Sequence, residues 1–208
     1  MNPEIEAFRR AGEDAGLLVR TAGIRSLRTG LVFTTPDGAV VDLLQHTRFD
    51  AAGTWSEFSH REAGHEVRYG NAASTAAPGG VPRLDVGGAI PSYAAHRVLV
   101  RFAASAEDHV DFLQFAESPA PEVQRARFER QGAEDLVIDG IEVHAERIGL
   151  VIDGRPANTF WFRGASRVAS DWGGARSSPV KDARAVIAGL DVRIRDRAVA
   201  LLGAPGIS

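Results

Sequence analysis

Glu142, His144 and Glu146 stand two residues apart within Ile141-Glu142-Val143-His144-Ala145-Glu146. In a strand, side chains two apart share a face, so these three would form a row of carboxylate, imidazole and carboxylate. Such a row can bind a divalent metal, or pair a general base with the group that orients it. A simpler account fits the same alternation. A half-buried antiparallel strand needs polar residues on its wet side, with Ile141, Val143 and Ala145 on the other. On that account the row holds no metal.

A second constellation is His60-Arg61-Glu62-Ala63-Gly64-His65-Glu66, with His46 and Asp50 upstream. Histidines five apart share neither a helix face nor a strand face, so their spacing makes no ligand pair. A turn at Gly64 could still bring them together, but the solvated end of a hairpin is the plainer reading. The third is Phe160-Trp161-Phe162-Arg163, with Arg167 and Trp172 following. Aromatic rings beside guanidinium groups can line a pocket for an anionic or planar ligand. If Phe160 and Phe162 are core, Trp161 and Arg163 face a second layer or a partner.

Familiar catalytic signatures are absent. The chain has no phosphate-binding Gly-x-x-x-x-Gly-Lys, no dinucleotide Gly-x-Gly-x-x-Gly between strand and helix, no His-Glu-x-x-His and no Gly-x-Ser-x-Gly elbow. It has no cysteine, which removes disulfides, thiolate metal sites and a thiol nucleophile and fits a reducing compartment. Lys181 is the single lysine among 24 basic residues. The arginines suit carboxylate or phosphate recognition, although a GC-rich coding bias explains the excess more simply. A net charge of −3 without a long basic run argues against nucleic acid. No apolar run is long enough for a membrane helix and no signal peptide is visible, so a cytoplasmic protein is expected.

The elements that must position these residues are read mainly as strands. Glu134 to Trp172 carries Val-Ile-Asp-Gly twice, ending at Gly140 and Gly154. Asp-Gly is the pair that most easily takes the positive φ of a tight hairpin turn, so the stretch predicts a four-strand antiparallel meander. Residues 24–47 predict a hairpin turning at Pro36-Asp37-Gly38, with weaker strands over 54–61 and 66–69. The N-terminus predicts a helix capped by Asn2, opened by Pro3 and striped by Ile5, Phe8, Ala11 and Ala15. Further helices are expected from Ser105, over 122–131, and from Pro179 to Ala188. Strands are expected over 97–102 and at Val192 and Ile194, and Val199 to Leu202 forms a last apolar run. Residues 70–92, rich in Gly, Pro and Ala, predict a long loop that is a lid, a binding loop or a linker.

Together these predict one α+β domain over residues 1–208, divisible at the 70–92 loop, with a mainly antiparallel sheet in two strand blocks flanked by a few helices. The expected function is that of a non-catalytic, bacterial-type cytoplasmic binding or protein-interaction domain. Its aromatic and arginine sheet face (Trp161, Arg163, Arg167, Trp172) would meet a small molecule or partner protein, with no cofactor. The alternative is an enzyme of unrecognised type using Glu142, His144, Glu146 and His60 between the strand blocks, under the loop.

Overall fold

The computed structural model describes residues 3–116 and 121–203. The chain forms two compact units, one of residues 1–88 with 180–208 and one of residues 89–179. Their boundary falls at Gly88, inside the segment expected to be a long loop.

The first unit is a sheet of β1 (Glu4–Arg10), β2 (Glu13–Gly23), β3 (Ser26–Thr34), β4 (Val40–Phe49), β5 (Trp55–Glu62), β6 (His65–Asn71) and the short β7 (Arg83–Leu84), neighbours in that order. All ladders are antiparallel except β6 with β7. The hairpin at Pro36-Asp37-Gly38 and the strand pair joined at Ala63-Gly64 are as the sequence predicts.

The expected N-terminal helix is a correction. Residues 4–10 and 13–23 are strands joined by a two-residue turn in which Ala11 (φ 51°) and Gly12 (φ 87°) both have positive φ. That is the turn whose twist matches a hairpin. Gly16 lies within β2. A Cβ there would lie 2.3 Å from Cβ of Phe33 on the neighbouring strand, so the strands approach where only glycine fits. The periodicity misled because both faces of β1 are covered: Ala7 and Phe8 are adjacent and both buried. The proposed cap, Asn2, lies outside the described residues.

Two helices follow in this unit after the chain returns. Asp182 caps the first, accepting bonds from the backbone N–H of Arg184 (3.0 Å) and Ala185 (3.1 Å), so it spans Ala183–Gly189 rather than beginning at Pro179. The strand expected at Val192 and Ile194 is also corrected, since Val192–Gly203 is helical. Ile194, Ala198 and Leu201, spaced i, i+4, i+7, turn inward, whereas Val192 is exposed. The two helices cover one sheet face, packing Ile187, Leu190, Ile194 and Leu201 on Ala7, Leu17, Val19 and Val32. Each Leu, Ile or Val among them contributes about 1.5–3 kcal/mol by leaving water.

The second unit begins with β8 (Ile90–Pro91), a 3₁₀ turn and helix α1 (Ala95–Ala103). The strand expected over 97–102 is therefore a helix, with Ala95, Leu99 and Phe102 forming its buried stripe. Ser105 does not open a helix either. Its hydroxyl donates to the Phe102 carbonyl (2.9 Å) and closes α1. Both helices expected next are strands: β9 (His109–Ala116) and β10 (Glu122–Ile138). Along β10 alternation decides, with Ala126 and Phe128 buried and Arg127 outward, pairing Asp111 through two bonds of 2.7 and 3.2 Å. Gly132 lies where the β10 register shifts, between Arg130 and Ala133. Pro119 lies outside the described residues.

The meander forms as expected. β10, β11 (Ile141–Ile152), β12 (Arg155–Arg163) and β13 (Ser166–Asp171) pair antiparallel in sequence, and β14 (Arg176–Pro179) adds to β13. Strands dominate both units. The helical share is smaller than an α+β reading implies.

The 70–92 segment is held more firmly than its lack of large apolar residues suggested. The Arg83 guanidinium donates to the carbonyls of Asn71 (3.0 Å), Ser74 (3.0 Å) and Ala77 (3.2 Å). Asn71 donates in turn to the Trp55 carbonyl at 2.8 Å. Polar tethers replace apolar anchors there.

Candidate functional sites

The meander presents two faces in the second unit. On one, Phe160 and Phe162 pack with Phe128, Ile148 and Leu150 against Leu99 and Phe102 of α1. On the other, Trp161 sits with Ala145 and Ala169 among Leu136, Ile138, Val143 and Val168. The opposition of Phe160/Phe162 to Trp161 is what strand alternation requires.

Trp161 is only 5% exposed and already has company. Its indole N–H donates to the Glu134 carboxylate at 2.6 Å. Arg147, directly opposite Trp161 in the ladder, lies 4.0 Å from the same carboxylate. The Arg176 guanidinium stands 5.7 Å from the Trp161 ring centroid. Trp172 is on the other face, edge-on to Phe160 at 5.4 Å, with its N–H on Ser177 (2.9 Å). Arg167 is buried and Arg163 exposed. The four residues expected to bind together are thus divided between two sheet faces. Glu134, Arg147 and Arg176 replace them around Trp161, and only cross-strand register could have revealed that set.

The Glu142, His144, Glu146 row stands on one side of β11, as spacing predicts. Its partners lie on β10. His144 Nδ1 is 2.7 Å from Asp135 Oδ1, in the directly opposed position, and Glu146 forms an ion pair with Arg130. Among the described residues no group of three His, Asp or Glu is gathered as metal ligands. The ladders explain the setting. β9 reaches β10 only as far as Glu129, and β12 reaches β11 only from Glu146 onward. Among the described residues, 134–138 and 141–145 therefore pair only with each other, as a two-stranded ribbon running past the sheet. Val137 (70% exposed) and Ile141 (67%) lie near its tip.

The histidines of the first unit do not converge. His60 is opposite Gln45, whereas His46 is opposite Ser59 and so faces the other side of the sheet. His65 is exposed at the β5–β6 turn. Asp50 is structural: its carboxylate accepts from the N–H of Ala52 and Thr54 and from the Ser74 hydroxyl (2.9 Å), and the Ser74 bond leads in lowering its pKa. His46 is pushed below its usual pKa, first by burial and then by the Arg48 charge.

His60 belongs to a feature that no single motif announces. On the sheet face away from the two helices, Arg20, Thr29, Gln45 and His60 are successive partners across β2 to β5. Arg20 donates to Glu6 at 2.6 Å, and every member of the row is at least nine-tenths buried, as is Glu6.

Comparison with known proteins assigns no family. No protein-family model matches the chain, and no curated protein matches it. Among solved structures, a β-barrel-like protein of the domain of unknown function DUF1849 from Brucella abortus aligns over 86% of this chain and 97% of its own, at 14% identity and a TM-score of 0.49. No helix among the described residues is long and apolar enough to cross a membrane.

Proposed function

We propose that the protein is a non-catalytic binding protein, and that the Trp161 face of the second unit, continued onto the β10–β11 ribbon, meets an extended segment of a partner protein. The observation that supports this is the ribbon itself. Beyond Glu129 and before Glu146 its outer edges have no ladder partner among the described residues, and unpaired edges are templates for a further strand. Leu136, Ile138 and Val143 give the ribbon an apolar side continuous with Trp161. Exposed Arg163 extends the partner surface from β12. Charge favours a basic partner over a second copy. Residues 133–145 include Glu134, Asp135, Asp139 and Glu142 and no lysine or arginine.

The enzyme reading has less support. Glu142 and His144 stand in solvent on the ribbon, Glu146 is neutralised by Arg130, and His60 belongs to the first unit.

Hydrogen–deuterium exchange tests the proposal. A short synthetic peptide alternating lysine with valine should slow exchange within 133–145, and a glutamate–valine peptide should not. Protection should vanish in the Asp135→Lys, Glu142→Lys double variant. No protection in the ribbon, or equal protection by both peptides, refutes the partner surface.

A further inference from the structure

On the sheet face that carries the two helices of the first unit, apolar packing gives way to charge. Leu201, from the helix Val192–Gly203, lies over Gly30, where a Cβ would stand 2.5 Å from its Cδ2. Residues two apart on a strand share a face. The next row of ladder partners there is Thr21, Arg28, His46, Ser59 and Arg68, across β2 to β6. Beyond it come Ser26, Arg48, Glu57 and Gly70. The segment between β6 and β7 lies over Gly70, where a Cβ would be 3.2 Å from both Ala77 Cβ and Val81 Cγ2. The row through His46 thus runs between two covered glycines, one under a helix and one under the 70–92 segment.

Solvent reaches this row. His46 and Ser59 are half-buried, while the side chains of Arg48 and Arg68 are 60% and 52% exposed. Arg61, opposite Leu44 in the Gly30 row, is exposed as well. In a chain whose net charge is −3, these three rows hold Arg28, Arg48, Arg61 and Arg68 against Glu57 and Glu66. Glu57 is buried and fixes two of the arginines side by side: Arg68 donates to it through Nε, and Arg48 Nη1 lies 3.4 Å from it. A guanidinium has five N–H donors, so both keep donors beyond that shared carboxylate. Burial first, and then the Arg61 charge, lowers the pKa of Arg28, as one cation facing another requires.

We propose that this row is an anion site, in which Arg48, Arg61 and Arg68, with the Ser59 hydroxyl and His46, hold the phosphoryl group of a phosphate monoester. Guanidinium forks donate paired N–H bonds to phosphate oxygens. A dianion gains more from clustered arginines than a single carboxylate does. The charged groups acting on His46 are Arg48, Glu57, Arg28 and Arg68. A bound dianion opposes the three arginines and favours the protonated imidazole, so binding takes up a proton. The 70–92 segment then serves as a binding loop, tethered by Arg83. The site lies within the first unit and does not rest on the partner surface of the second.

Isothermal titration of the full chain with glycerol phosphate, at low salt and near neutral pH, provides the test. Glycerol controls for the neutral body of the ligand and acetate for a single charge. Glycerol phosphate should bind, acetate should bind at least about tenfold more weakly, and glycerol should not bind. Arg61→Gln, at an exposed side chain, should weaken the ester by about tenfold. Arg61→Lys should restore most of that loss, and Arg125→Gln, in the second unit, should match the parent. Proton uptake, read from the dependence of the binding enthalpy on buffer ionisation, should fall in His46→Gln. Vesicles with phosphatidic acid, against phosphatidylcholine alone, present the same group on a membrane; binding of either ester supports the site and names its source. Four outcomes overturn the proposal: neither ester binds, acetate binds as tightly, Arg61→Gln keeps the parental affinity, or His46→Gln leaves proton uptake unchanged.

Discussion

The indole N–H of Trp161 donates to the Glu134 carboxylate across 2.6 Å, joining β12 to β10 over the intervening β11. Trp161 is buried on the less covered face of the meander, so the bond combines a large apolar ring with a charge-assisted donor contact. Glu134→Ala should leave the N–H unsatisfied and cost about 1–3 kcal/mol. Trp161→Phe with Glu134 intact should cost less than Trp161→Ala, because most of the ring remains. Urea unfolding with matched slopes measures both. A neutral Glu134→Ala would show that water replaces the carboxylate and that the pair does not fix the face.

The two Asp-Gly turns should differ when tested. Gly140 (φ 77°) and Gly154 (φ 78°) both need the left-handed region, so valine at either is strained by about 1–3 kcal/mol. Gly154 follows Asp153, which accepts the Arg125 N–H at 2.9 Å and returns its own N–H to the Arg125 carbonyl at 2.8 Å. Strain there is transmitted to β10 and should lower global stability. Gly140 caps the ribbon, where fraying relieves strain locally. Gly154→Val should therefore shift the urea midpoint, while Gly140→Val mainly speeds amide exchange within 133–145. Gly79→Ala, at a site with open space and no positive φ, should do neither. Equal midpoint shifts at Gly140 and Gly154 would refute the local role of the ribbon.

These turns also mark what was legible in the sequence. Asp139-Gly140, Asp153-Gly154 and Pro36-Asp37-Gly38 carry their turn chemistry in the residues themselves, so the meander and the first hairpin could be read directly. The N-terminal hairpin could not, because Ala11-Gly12 is a weak turn signal and β1 is buried on both faces, which erases alternation. The helix over 95–103 was hidden by Val98, Leu99 and Val100, which mimic a strand until Ala95 and Phe102 are seen to share a stripe with Leu99. At the candidate sites only the Glu142–His144–Glu146 row was readable, being local. The partners that define Trp161, and the row Arg20–Thr29–Gln45–His60, depend on registers across separate strands.

His46 should make stability depend on pH. Burial, and then Arg48, hold its pKa below the ordinary 6.5; Arg28 and Arg68 act in the same direction, while Glu57 opposes them. The group is a base whose folded pKa is depressed, so the unfolded chain takes up a proton first as the pH falls. Its contribution is intact above about pH 6.5 and is lost progressively below it, toward the depressed folded value. Urea midpoints taken from pH 7.5 down to 5.5 should decline, and His46→Gln should flatten that decline. A variant with the same slope as the parent would assign the pH dependence to another group.

The buried ion pair between Glu6 and Arg20 gives the sharpest test of the polar face. Their side chains are 0% and 3% exposed, so their attraction across 2.6 Å acts away from water. Removing one partner of a buried ion pair typically costs about 3–5 kcal/mol. Arg20→Met and Glu6→Gln should each be severely destabilising, Arg20→Met more so because it leaves an intact carboxylate. The double variant Glu6→Leu, Arg20→Met should recover most of that loss, since well-packed apolar replacements of buried pairs are often neutral or stabilising. Its coupling energy, from a double-mutant cycle in urea, should exceed the ~1 kcal/mol ceiling of exposed pairs. If the single variants cost no more than surface substitutions, water reaches the pair, and the face around Thr29, Gln45 and His60 is wetter than its burial implies.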